Sequence, residues 1–99
     1  MNGSLVLRRR AEEDLTAAAL WYEEQLPGLG REFLDEADRA ILQIAHFPDS
    51  FPARHRHFRR ALLRRFPYGI FYAVEPDLIV VLTVIHLAQD PAELPRRLD

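Results

Sequence analysis

Six arginines, Arg54, Arg56, Arg59, Arg60, Arg64 and Arg65, fall within twelve consecutive residues that hold no acid, beside His55 and His57. Fixed cations at that density read as a contact surface for phosphate or for an acidic protein partner; the plain alternative is a solvated edge strand protected by its charges. His55 and His57 alternate inside the basic segment, where a metal cation would be repelled, so no metal site is expected. His86 closes an apolar run, a position where histidine serves more often as a structural hydrogen-bonding group than as an acid or base. Tyr68, Tyr72, Phe66 and Phe71 suit the core of a strand. Glu12-Glu13-Asp14 and Glu23-Glu24 are expected on helix ends or solvent faces, with no catalytic dyad among them. The chain has no cysteine, which removes disulfides, thiolate metal sites and cysteine nucleophiles. All thirteen Lys and Arg positions are arginine, so lysine Schiff bases and lysine general bases are excluded too. No cofactor is expected.

The elements that must position these groups have little chain to work with. A length of 99 residues allows one small domain, expected to span 1–99, and 48% hydrophobic residues are enough for it to fold. The net charge of −2 hides an asymmetry. Residues 1–50 carry five arginines against ten acids, and residues 51–99 carry eight against five. No apolar run approaches the ~20 residues of a membrane helix, so no membrane partner is expected. At the start of the chain the apolar stretch precedes Arg8-Arg9-Arg10, the reverse of a secretory signal, and a cytoplasmic location is the expectation.

Leu5-Val6-Leu7 reads as a short first strand. The acidic turn Ala11-Glu12-Glu13-Asp14 suits a helix N-terminus, and Leu15, Ala18, Ala19, Tyr22 and Leu26 continue one apolar stripe. Trp21 lies off that stripe, as a partner contact or as part of a wider apolar face. Pro27-Gly28-Leu29-Gly30 ends the helix. A second helix, with Phe33, Leu34, Ala37, Ile41, Ile44 and Ala45 on one side, runs to Pro48, so the two form an antiparallel hairpin. Phe58–Phe66, Tyr68–Val74 and Leu78–His86 read as strands, the last two joined around Pro76-Asp77. The tail from Pro91 holds one helical turn. The fold expected is therefore α+β, in the order β-α-α-β-β-β, with the helix hairpin packed on one face of a small antiparallel sheet of three or four strands. Leu78–His86 is apolar on both faces, yet two helices cover only one. The second face needs the C-terminal tail, a second copy or another polypeptide, and a partner protein is the reading preferred here.

The helix opening Ala11-x-x-Asp14-Leu15 with Trp21-Tyr22-Glu23, and the link Pro27-Gly28-Leu29-Gly30-x-x-Phe33-Leu34, resemble the RelE/ParE superfamily of bacterial toxins. The most specific piece is Arg59-Arg60-Ala61-Leu62-Leu63-Arg64-Arg65-Phe66-Pro67-Tyr68 with Ile70 and Tyr72. Val84-Ile85-His86 and Asp90-Pro91 complete the pattern, which covers residues 11–97. The resemblance implies the toxin of a type II toxin–antitoxin pair, silenced by a cognate antitoxin that is usually acidic and folds on binding. It offers two targets: RelE-like members cut mRNA on the ribosome without metal, and ParE-like members bind and block DNA gyrase. Cleavage by attack of the 2′-hydroxyl needs a proton acceptor, a proton donor and cations on the phosphate. His86, Tyr68 or Tyr72, and Arg60, Arg64 or Arg65 are the candidates. Against it, Leu87-Ala88-Gln89 follow His86, no tyrosine follows Tyr72, and the lysines of several such nucleases are absent. Gyrase inhibition is therefore preferred, with mRNA cleavage by His86, Arg60 and Tyr68 as the alternative. In both cases Arg54, Arg56, Arg59, Arg60, Arg64 and Arg65 are the expected contacts for antitoxin or target. A small nucleic-acid-binding domain is a second alternative.

Overall fold

A computed structural model of the chain describes residues 4–98. Residues 1–3, on which the export argument partly rested, and residue 99 lie outside the described residues. The elements run β1 (Ser4–Leu7), α1 (Arg9–Gln25), α2 (Leu29–His46), a single 3-10 turn (Pro48–Ser50), β2 (Ala53–His55), β3 (Phe58–Leu62), β4 (Tyr68–Val74), β5 (Leu78–His86), a second 3-10 turn (Pro91–Glu93) and α3 (Leu94–Leu98).

The α+β class and the helix hairpin stand as the periodicity predicts. Helix α1 buries Ala11, Leu15, Ala18 and Ala19, and α2 buries Phe33, Ala37 and Ile44 along one stripe. The link between them depends on two glycines. Gly28 has φ +91°, in the left-handed region where glycine carries no side-chain penalty. Gly30 lets the helices approach closely, because a Cβ there would lie 2.6 Å from the Ala19 carbonyl oxygen. The Glu23 carboxylate then accepts hydrogen bonds from the amides of Gly28 at 3.0 Å and Gly30 at 3.0 Å, satisfying donors that α2 leaves open at its first turn.

The sheet has five strands in the order β1-β5-β4-β3-β2, one more than the upper expectation. The additional strand is β2, three residues that pair antiparallel with Phe58 and Arg59. Strand β1 joins parallel to β5, Leu5 opposite Ile79 and Leu7 opposite Val81, so the sheet is mixed. The β3-β4-β5 meander is antiparallel, as expected. Strand β3 ends at Leu62 and does not run on to Phe66. The buried Glu36 carboxylate of α2 accepts from the amides of Arg64 and Arg65, which bends the chain into the turn before β4.

The helices cover the sheet face formed by Ala61, Ile70, Tyr72, Ile79, Val81 and Val84. The opposite face, with Phe71, Ala73, Leu82 and Ile85, packs against Leu94 and Leu98 of α3. This corrects the preference for a partner protein as its cover: the chain's own tail does that work over these residues. A register shift between Phe71 and Tyr72 leaves Leu82 as an extra residue in β5. Beyond β1, the open side of β5 is closed by Asp14. Its carboxylate accepts from the Thr83 hydroxyl at 2.6 Å, the Val84 amide at 2.9 Å and the Arg97 guanidinium at 3.0 Å. Its side chain is only 14% exposed, so Asp14 is not on a solvent face as the sequence suggested.

Candidate functional site

The arginine stripe divides by what each side chain already holds. Arg59 lies on the helix face of β3, opposite Tyr72, and donates to the backbone carbonyls of Asp49 at 3.2 Å and Phe51 at 2.5 Å. It also stands 3.7 Å from the Asp49 carboxylate, so it ties β3 to the turn after α2. Arg65 pairs with Glu32 at 2.6 Å, which pushes its pKa up, and lies over the Phe66 ring. Arg54, Arg56 and Arg64 are exposed, and none has an ion-pair partner among the described residues. Arg56 sits at the tip of the β2–β3 hairpin with φ +52°. His55 and His57 flank the Phe58 ring at centroid distances of 6.3 and 4.2 Å.

Of the three residues expected to act together in cleavage, the structure brings two together and sets the third apart. Tyr68 and His86 are register partners, with rings edge to face and centroids 5.1 Å apart. Tyr68 belongs to the helix face, within reach of Phe33 and Tyr22. Arg60 is opposite Phe71, whose side chain packs on the other face, and it passes over Gly69. A Cβ at Gly69 would stand 3.1 Å from the Arg60 Cδ. Successive side chains of a strand point to opposite faces. Tyr68 and Arg60 are therefore separated by the sheet itself. The Arg60 Nε is buried without a hydrogen-bond partner.

The state of each group bears on its chemistry. His86 Nδ1 accepts from the Ala88 amide at 3.0 Å, which engages that nitrogen in closing the turn after β5 and leaves Nε2 as the other ring position. Burial pushes the phenols of Tyr68 and Tyr22 up, away from any role as a base. Tyr72 is pushed furthest, to about 12, mainly by burial, and donates to the Pro48 carbonyl at 2.6 Å. It is a core residue. Among the described residues no three His, Asp or Glu side chains gather closely enough to hold a metal ion together.

A second feature of the surface is a groove of about 530 Å³ between the C-terminal half of α2 and the end of β3. Arg39, Ala40, Leu42 and Gln43 line one wall, and Leu62, Leu63 and Arg64 line the other. Sequence reasoning found the arginines and missed this groove, because its walls lie about twenty residues apart in the chain. The carboxylates that fix the site's frame escape the sequence for a different reason. Glu23, Glu36 and Asp14 all serve backbone amides, and amides leave no mark in a sequence.

A family model described as ParE toxin of type II toxin–antitoxin system, parDE, matches residues 5–91. Fourteen chains of solved structures are also similar. One, from the chromosomal ParDE toxin–antitoxin system of P. aeruginosa, superposes with a TM-score of 0.78 at 19% identity, covering 86% of this chain and 96% of its own. Another, from the RelBE2 toxin–antitoxin complex of Mycobacterium tuberculosis, gives 0.56 at 20% identity, covering 87% and 99%. At such identities these two show a shared fold. No curated protein matches. Among the described residues no helix is long and apolar enough to cross a membrane.

Proposed function

The chain belongs to the ParE toxin family of type II toxin–antitoxin systems, and from that premise we propose that it arrests growth when free by binding DNA gyrase, and that a cognate antitoxin neutralises it. In this reading residues 1–99 act as one toxin domain in the cytoplasm. The observation that carries the choice of gyrase over mRNA is the placement of Arg60. Cleavage of a phosphodiester needs the cation within reach of the groups that move protons. Here Arg60 lies on one face of the sheet and the Tyr68–His86 pair on the other. The His86 Nδ1 is occupied by the Ala88 amide. An inhibitor that works by surface contact needs no such convergence. Arg54, Arg56 and Arg64, exposed and without ion pairs, are the arginines free to meet a protein target, whereas Arg59 and Arg65 shape the surface around them.

The nuclease alternative rests on the Tyr68–His86 contact, and one experiment separates the two. The chain is expressed without antitoxin, and incorporation of labelled thymidine and labelled amino acids is followed over the first minutes. Early loss of thymidine incorporation, unchanged by His86→Ala, is expected. Early loss of amino-acid incorporation, abolished by His86→Ala in a variant that still folds, would replace gyrase with mRNA.

A further inference from the structure

Helix α1 carries its terminal charges against its own dipole. The aligned peptide dipoles of a helix favour acids at the N-terminal end and bases at the C-terminal end. Here Arg9 and Arg10 open α1, and its last turn holds Glu23 and Glu24 with no base. Glu23 is accounted for by the Gly28 and Gly30 amides. Arg9, Arg10 and Glu24 are exposed and have no ion-pair partner among the described residues, although Glu12 and Glu13 stand three and four positions beyond Arg9.

Between those ends the outward side of α1 is uncovered. A shallow groove of about 350 Å³ lies along it, lined by Arg9, Glu12, Glu13, Thr16, Ala17 and Leu20. All six are exposed, on the side opposite buried Ala11, Leu15, Ala18 and Ala19. Arg9, Glu12, Glu13 and Thr16 have the spacing of four residues that surround a hole on a helix surface, the kind that receives a side chain from a facing helix. Thr16 and Ala17, near the middle of α1, are small enough to let another helix come close. Leu20 is 62% exposed, and Trp21 beside it 54%.

We propose that α1 pairs antiparallel with α1 of a second copy of this chain, about a twofold axis beside Thr16 and Ala17. That axis sets Arg9 opposite Glu24 of the second copy, and Leu20 opposite its Glu13, each twice by symmetry. Leu20 then enters the hole between Arg9, Glu12, Glu13 and Thr16, over their methylene stems. Each helix N-terminus comes beside the other's C-terminus, so charges that oppose their own dipole favour their neighbour's. Arg9 and Glu24 are ~22 Å apart along α1, so both end pairs form only if the axes cross at a shallow angle of about 20°. A purely acidic or purely basic partner would match one end of this surface and be repelled by the other; a second copy matches both. One helix pair buries less than the ~1,200 Å² of a lasting interface, so the association is weak and reversible. None of Arg54, Arg56 and Arg64 lies on α1, and the pairing does not depend on which target the chain has.

The test is sedimentation of the purified full chain over a concentration series, at low and at high salt. A monomer–dimer equilibrium that salt weakens is expected. Arg9→Glu and Glu24→Arg should each weaken dimerisation roughly tenfold, because each sets like charges opposite one another at both ends. The same changes suit the dipole of α1, so the thermal midpoint should hold or rise while association falls, which separates lost pairing from lost folding. Combining the two reverses the pair and should restore dimerisation to within about threefold of the unaltered chain. The chain has no cysteine, so orientation can be read from single cysteines. Ala17→Cys, beside the axis, should cross-link two copies on mild oxidation, and Arg9→Cys should not. A chain that stays monomeric throughout the series, or a double variant that associates no better than the single ones, would overturn the proposal. Dimerisation indifferent to the charge reversals but abolished by Leu42→Asp would overturn it in favour of the groove beside β3. Cross-linking through Arg9→Cys would overturn it in favour of a parallel pair.

Discussion

The Asp14 carboxylate receives three donors from two distant parts of the chain, the Thr83 hydroxyl and Val84 amide of β5 and the Arg97 guanidinium of α3. Removing it leaves a nearly buried amide and a guanidinium unpaired. Asp14→Ala should cost about 3 kcal/mol in thermal or urea unfolding, and Thr83→Val about 1 kcal/mol. Tyr72 makes a second residue-scale prediction. Its folded-state pKa is raised from 10.0 to about 12, so the folded chain holds a proton that the unfolded chain releases. Stability is therefore full below pH 10 and falls as the pH rises towards about 12. Tyr22 and Tyr68 shift in the same direction. The unfolding midpoint should drop over that alkaline range, and drop less in Tyr72→Phe. At this scale the sequence was half legible. The arginines announced themselves by density, but density says nothing of what each one holds. That Arg59 and Arg60 point to opposite faces follows from strand alternation alone. That Arg59 is spent on the Asp49 and Phe51 carbonyls does not, because that partnership is made by a turn eight to ten residues earlier.

Among the elements, the helix hairpin was the most legible, because its apolar spacing repeats over several turns and Pro27-Gly28 marks the break. What spacing could not convey is how closely the helices meet. Gly30→Ala would place a methyl against the Ala19 carbonyl, backbone against helix, with no flexible side chain to yield. It should destabilise the chain by about 2 kcal/mol, read as a lowered urea midpoint with an unchanged slope. The smaller elements escaped for physical reasons. Strand β2 is three residues with no apolar alternation, held by the hairpin at Arg56 and His57 and by no core of its own. The parallel pairing of β1 with β5 joins residues more than seventy positions apart, a contact that no local pattern encodes. Helix α3 has only five residues, too few to form alone. It is kept by burying Leu98 and by Arg97 reaching Asp14. The apolar second face of β5 correctly signalled that something must cover it; the tail was one of three candidates, and only the packing decided among them.

For the whole molecule, the charge asymmetry of the two halves becomes a spatial one. Three of the ten acids of the first half are spent inside the frame, Glu23 on the α2 N-terminus, Glu36 on the β3–β4 turn and Asp14 on the β5 edge. The unpaired arginines of the second half face outward. The surface so presented is cationic, with Arg60 on one face of the sheet and the Tyr68–His86 pair on the other. Whether contact with gyrase, and not cleavage of RNA, stops growth is tested most directly by supercoiling of relaxed plasmid by purified gyrase with increasing amounts of the purified chain. Contact with gyrase should abolish supercoiling, an effect retained in His86→Ala and weakened in a variant in which Arg54, Arg56 and Arg64 are all replaced by Gln. Supercoiling that continues unaffected at saturating amounts of folded chain, together with His86-dependent cutting of ribosome-bound mRNA, would contradict it.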